Sequence, residues 1–196
     1  MITVQFQYSI HNLNKGERKM SNTALLIVDV QNALVDEKPF NIERVLANIK
    51  NLLDTCRENN IEIIYIQHDG EKEDTLEPFS YGWDIHKSIY PNTGEKIIRK
   101  TYSSSFKDTE LEAYLNGKSI QTLILVGMQT EYCIDTTCRV AFDKGYKLIM
   151  PEETNTTFDN GNISASNIYE YHNFNIFKDR FAVVKSLDVL NICDLT

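Results

Sequence analysis

Leu123-Ile124-Leu125-Val126-Gly127-Met128-Gln129-Thr130-Glu131-Tyr132-Cys133-Ile134-Asp135-Thr136-Thr137 joins an apolar run to a helix-like segment through a glycine and a short polar turn. The apolar run is too short for a helix buried on all sides and suits a strand covered on both faces. A thiol then stands in the first turn of the following helix. There the unpaired N–H groups and the positive end of the helix dipole favour a thiolate and lower the cysteine pKa. The same groups can hold an oxyanion if the thiolate attacks a carbonyl. A buried, inert cysteine fits the stretch equally well.

Working outward, the same alternation repeats. Ala24 to Val30 is an apolar run carrying Asp29 near its end, and Ile42 to Glu58 has apolar residues at helical spacing behind Asn41, a candidate cap. Ile61 to Ile66 reads as the second strand, and residues 70–95 as a long connection of the kind that carries function. Lys96 to Lys100 is a short third strand ending on a cation. Asp108 to Asn116 is a helix ended by Gly117, and Ile120 to Val126 the fourth strand. Glu131 to Lys144 is the next helix, ended by Gly145, and Tyr146 to Met150 the fifth strand. A polar loop over 152–162, a helix over 163–172 and a sixth strand from Phe181 to Val184 follow. This pattern predicts a single-domain α/β three-layer sandwich, a six-stranded, mostly parallel sheet of Rossmann type with helices on both faces. Ligands of such sheets bind beyond the carboxyl ends of the strands. Asp29, Lys100 and Cys133 all fall at that rim, a proton carrier, a charge stabiliser and a nucleophile.

The net charge of −8 argues against nucleic-acid and anionic-membrane partners. No apolar run approaches the roughly 20 residues that span a bilayer. Cys56, Cys133, Cys138 and Cys193 form no CxxC pair, and the N-terminus lacks a signal-peptide pattern. A cytoplasmic protein with reduced thiols is expected. Met1 to Tyr8 reads as a short alternating strand, whereas Asn12 to Lys19 has no periodicity. Lys15-Gly16-Glu17 is the peptide a translated ribosome-binding site would give. Residues 1–19 are therefore expected to be an upstream extension, with Met20 the native start and residues 20–196 the folded domain.

At three places the sequence resembles the isochorismatase-like cysteine hydrolases, a group that includes nicotinamidases, N-carbamoylsarcosine amidases, ureidoacrylate amidohydrolases and streptothricin hydrolases. They are Leu26-Ile27-Val28-Asp29-Val30-Gln31-Asn32, the Lys100 strand with Ser104-Ser105-Phe106, and Val126 to Cys133. The resemblance implies that Asp29, Lys100 and Cys133 form a catalytic triad. It also implies a cis peptide between Met128 and Gln129, with the N–H groups of Gln129 and Cys133 as oxyanion hole. Loops above the strand ends would supply Gln31, Phe40, His68, Trp83, Gln129, Tyr132 and Phe158 as pocket walls; Trp83 serves equally well as a plug for its own loop.

Metal-dependent members carry an Asp and two close histidines after the second strand. Here that region reads Gln67-His68-Asp69-Gly70-Glu71, and the next histidine is His86. No metal and no cofactor is expected, and a nicotinamidase is disfavoured. The expected activity is hydrolysis of an amide-type C–N bond in a small molecule through a Cys133 thioester. The alternatives are vinyl-ether hydrolysis, or a non-catalytic small-molecule-binding or thiol redox-sensing protein of the same fold. By the same resemblance, a homodimer or homotetramer is expected.

Overall fold

The computed structural model describes residues 22–189. The expected strand over Met1 to Tyr8, the proposed extension and Cys193 lie outside them. Seven strands form one sheet: β1 (Thr23–Val28), β2 (Glu62–His68), β3 (Lys96–Lys100), β4 (Thr122–Met128), β5 (Lys147–Pro151), β6 (Asn155–Thr156) and β7 (Val183–Lys185). Their order is β3-β2-β1-β4-β5-β7, with β6 paired to β4, and every ladder is parallel. The six-stranded path matches the sequence reading. The two-residue β6 was hidden in the expected polar loop, where Asn155 and Thr156 carry no apolar pattern.

Alternate residues of each strand enter opposite cores, because side chains in a strand repeat every two residues. Leu26, Ile64, Leu123 and Leu125 pack on one face against α3 (Leu111–Gly117) and α4 (Asp135–Asp143). Leu25, Ile27, Ile124 and Val126 pack on the other against α2 (Ile42–Glu58). The stripe Ile42, Val45, Ile49, Leu52, Leu53 and Cys56 is the buried side of α2, on the order of 2 kcal/mol for each large aliphatic removed from water. Three layers result.

Local details differ from the sequence reading. Asn41 precedes α2 but adopts a left-handed φ of 52°, and its side chain caps nothing; its carbonyl accepts from Val45. Helix α3 begins three residues late and includes Gly117, with the left-handed turn taken by Ser119 instead. A short helix, α1 (Asn32–Asp36), follows β1 where none was expected. The expected helix from Glu131 opens as one π-helical turn, Thr130–Ile134, before α4 begins. The helix expected over 163–172 is α5 (Ala165–Tyr171), capped by Ser164 and continued by a second π-type turn, His172–Phe177.

The strand order reverses between β1 and β4. Parallel sheets leave a crevice at such a switch point, beyond the carboxyl ends of the strands. Asp29 directly follows β1, and Cys133 follows β4 by one turn. No helix among the described residues is long and apolar enough to cross a membrane.

Candidate active site

Asp29 leaves β1 in the left-handed region, φ 52°, which an aspartate tolerates better than most residues. Its N–H donates to the Ile66 carbonyl and its own carbonyl accepts from Gln31, so the backbone is held on both sides. Its side chain is 3% exposed. Lys100 ends β3 with a fully buried side chain, and its Nζ lies 2.7 Å from Asp29 Oδ2. The same Nζ is 3.3 Å from Cys133 Sγ, 3.0 Å from the Tyr102 carbonyl and 3.2 Å from His68 Nδ1. A buried ammonium is tolerated only when its hydrogens and charge are met, and here both are. The second carboxylate oxygen, Asp29 Oδ1, is buried without a hydrogen-bond partner.

The electrostatics around the sulfur oppose one another. Burial first, then the charge of Asp29, pushes the Cys133 thiol up to about 12, against the opposing pull of Lys100. Burial and Asp29 outweigh the pull of Lys100 on this sulfur. Burial works against the Lys100 ammonium too, but Asp29 and Cys133 beside it hold its pKa above the ordinary value. His68 is pushed down by burial and then by Lys100.

The Met128–Gln129 peptide is cis. Beneath this turn, Gly127 has a φ of +119°, and a Cβ there would meet the Val28 carbonyl oxygen at 2.1 Å. Only glycine lets β4 approach β1 so closely just before the cysteine turn. Thr130 Oγ1 donates to Asn155 Oδ1 at 2.8 Å. The Asn155 and Asn173 side chains then form a buried reciprocal amide pair, at 2.9 and 3.0 Å. Glu131 accepts a hydrogen bond from Thr157. The turn carrying Cys133 is thus tied to β6 and to the segment after α5.

The remaining expected site residues separate. Gln31 is wholly buried, and its amide bonds the His68 backbone on both sides: Nε2 donates to the His68 carbonyl at 3.0 Å and Oε1 accepts from its N–H at 2.9 Å. It also donates to the Trp83 carbonyl. Trp83 is half-buried, with Nε1 donating to Asp69 and the Arg99 guanidinium 5.2 Å from its ring centroid. Arg99 also holds Asp69 through both carboxylate oxygens. Tyr132 is 47% exposed, its hydroxyl accepting from Asn160. Phe40 and Phe158 line a separate cavity of about 470 Å³ with Lys38, Asp159 and Ser164. A cavity of about 710 Å³ opens at the amino ends of β1, β4 and β5, at the opposite end of the sheet from Asp29, Lys100 and Cys133.

The direct contact between His68 and Lys100 was not legible in the sequence. The two residues are register partners in the β2–β3 ladder, and both end their strands. That shared position was the available signal. Among the described residues, no group of three or more His, Cys, Asp or Glu side chains is arranged to hold a metal ion.

Comparison with known proteins agrees with this architecture. The Isochorismatase domain model matches residues 23–186. The chain is 33% identical over 138 residues to a streptothricin hydrolase of Streptomyces noursei, covering 69% of this chain and 55% of that protein. It therefore spans about half the length of that curated relative. It is also 33% identical over 174 residues to the isochorismatase family protein YrdC of Bacillus subtilis (strain 168), covering 85% of this chain and 93% of that one. Among solved structures, an isochorismatase from Pseudomonas putida KT2440 superposes with a TM-score of 0.82 at 28% identity, covering 88% of this chain and 92% of its own.

Proposed function

This chain belongs to the isochorismatase family, and on that premise we propose that it is a cysteine hydrolase acting on an amide-type C–N bond of a small molecule. The observation that carries this reading is the meeting of Asp29, Lys100 and Cys133, with Lys100 Nζ within 2.7 Å of one and 3.3 Å of the other. Streptothricin hydrolase among the relatives supports the hydrolytic class.

A neutral thiol needs a base at the moment of attack. The unpaired Asp29 Oδ1 takes the thiol proton as Sγ bonds to the substrate carbonyl carbon. Lys100 balances the negative charge as it shifts between carboxylate and sulfur. The carbonyl oxygen becomes an oxyanion, which the N–H groups of Gln129 and Cys133 receive. Collapse breaks the C–N bond, and Asp29 returns its proton to the leaving nitrogen. Water, deprotonated by Asp29, then attacks the thioester and releases the acid and the free thiol. No step calls for a metal or cofactor, and the working protein is expected to be a cytoplasmic homo-oligomer.

The test is a panel of linear and cyclic amides, ureido compounds and nicotinamide. Cys133→Ala is expected to lower hydrolysis of any substrate found by at least about 10³-fold, with the melting temperature nearly unchanged. Full activity in that variant overturns the assignment.

A further inference from the structure

Lys100 is offered more acceptors than it has hydrogens. An ammonium donates three hydrogen bonds and accepts none. Four atoms lie within reach: Asp29 Oδ2 at 2.7 Å, the Tyr102 carbonyl at 3.0 Å, His68 Nδ1 at 3.2 Å and Cys133 Sγ at 3.3 Å. Because Lys100 can only donate, the contact with His68 requires a lone pair on Nδ1. The ring proton then resides on Nε2. A thiol sulfur is a weak acceptor, so at rest the three hydrogens go to Asp29, Tyr102 and His68. A thiolate is a strong acceptor and claims one of them. The His68 contact is the longest of the three and yields first.

Resting on the cysteine-hydrolase reading, we propose that His68 is a positioning residue of the triad. Its neutral ring holds the third hydrogen of Lys100 while Cys133 is a thiol and releases it to the sulfur as the thiolate forms. The rest of the chain keeps the ring where this requires. His68 and Lys100 are partners across the β2–β3 ladder, and the Asp69 N–H donates to the Lys100 carbonyl. The wholly buried Gln31 amide grips the His68 backbone on both sides. A protonated ring has no Nδ1 lone pair and sets a second cation against Lys100. The charged groups acting on the ring are Lys100, Asp29, Asp69 and Asp74. The aspartates that act on the ring also face other cations, Asp29 facing Lys100 and Asp69 facing Arg99. Protonation of His68 therefore withdraws Lys100 from its working position, and the nucleophile fails on the acid side.

The experiment follows alkylation of Cys133 by iodoacetamide against pH, read by peptide mass spectrometry, in the wild type and in His68→Asn. Asparagine keeps an amide acceptor near the Nδ1 position but does not titrate. Because the raised thiol by itself loses about tenfold in thiolate per pH unit, the wild-type rate is expected to fall about tenfold per pH unit above the His68 titration and about a hundredfold per unit below it, as a second proton dictates. In His68→Asn the steeper limb is lost and the single-proton slope continues to lower pH. A steeper limb shared by both proteins, a single-proton slope throughout the wild type, or no reaction at Cys133 at any pH overturns the proposal. Should the variant fold poorly, nitrogen NMR of the wild-type ring decides: a proton on Nε2 at neutral pH is expected, and a proton on Nδ1 overturns the assignment. Failure of the hydrolase reading shows separately, as amide hydrolysis that survives in Cys133→Ala.

Discussion

At the scale of single residues, the site is one buried ion pair with a thiol laid against it. Asp29 has two jobs that its two oxygens divide: Oδ2 pairs with Lys100, and Oδ1 is left without a partner. Asp29→Asn therefore has two consequences. On the proposed mechanism it removes the base, and hydrolysis is expected to be lost. It also leaves the Lys100 charge buried and unpaired, which costs about 3–5 kcal/mol of stability. Thermal melting of Asp29→Asn beside Cys133→Ala checks this: the first should melt well below the wild type and the second close to it. Equal melting temperatures would show that the pair is not buried as described. That Asp29, Lys100 and Cys133 meet was legible in the sequence because each ends or follows an apolar run. The raised thiol pKa was not, since it depends on how much protein surrounds the sulfur, which no local pattern records.

At the scale of elements, apolar runs revealed strands well and polar ones poorly. Strand β3 was read to the residue, because Lys96 to Lys100 is bounded by turn-forming residues. β6 was missed, because two polar residues that pair with β4 through backbone bonds leave no hydrophobic signature. Asn41 and Gly117 were misread for a related reason. Capping side chains and left-handed turns depend on the path of the chain beyond the helix, and Asn41 and Ser119 took left-handed conformations that side-chain preference alone does not fix. Gly127 is the element-scale counterpart of the triad, since it sets how closely β1 and β4 approach. Gly127→Ala drives a methyl group against the Val28 carbonyl in a backbone conformation hostile to side chains. A loss of ~3 kcal/mol or more is expected in denaturant unfolding. A variant as stable as the wild type would mean that the strands separate there at little cost.

At the scale of the whole molecule, pH links the buried thiols to stability. Burial pushes Cys56, Cys133 and Cys138 from 9.0 up to about 12. Above pH 9 the unfolded chain releases thiol protons that the native protein retains, so the unfolded state binds fewer protons and stability falls as pH rises. Each raised thiol contributes stability that is fully present below 9 and lost between 9 and about 12. Denaturant midpoints should therefore drop steadily from pH 8 to pH 10.5; a flat profile would contradict the burial of these thiols. The fold as a whole was legible because alternating buried strands and amphipathic helices admit few arrangements. What the site recognises was not, since its walls come from loops whose packing is set only by the assembled molecule. The central claim is that Cys133 attacks a carbonyl and carries the acyl group. The most direct measurement is intact-protein and peptide mass spectrometry after rapid acid quench with an amide that the wild type hydrolyses. An acyl adduct on the Cys133 peptide, absent from Cys133→Ala, is the predicted result; turnover with no adduct and undiminished in Cys133→Ala would contradict it.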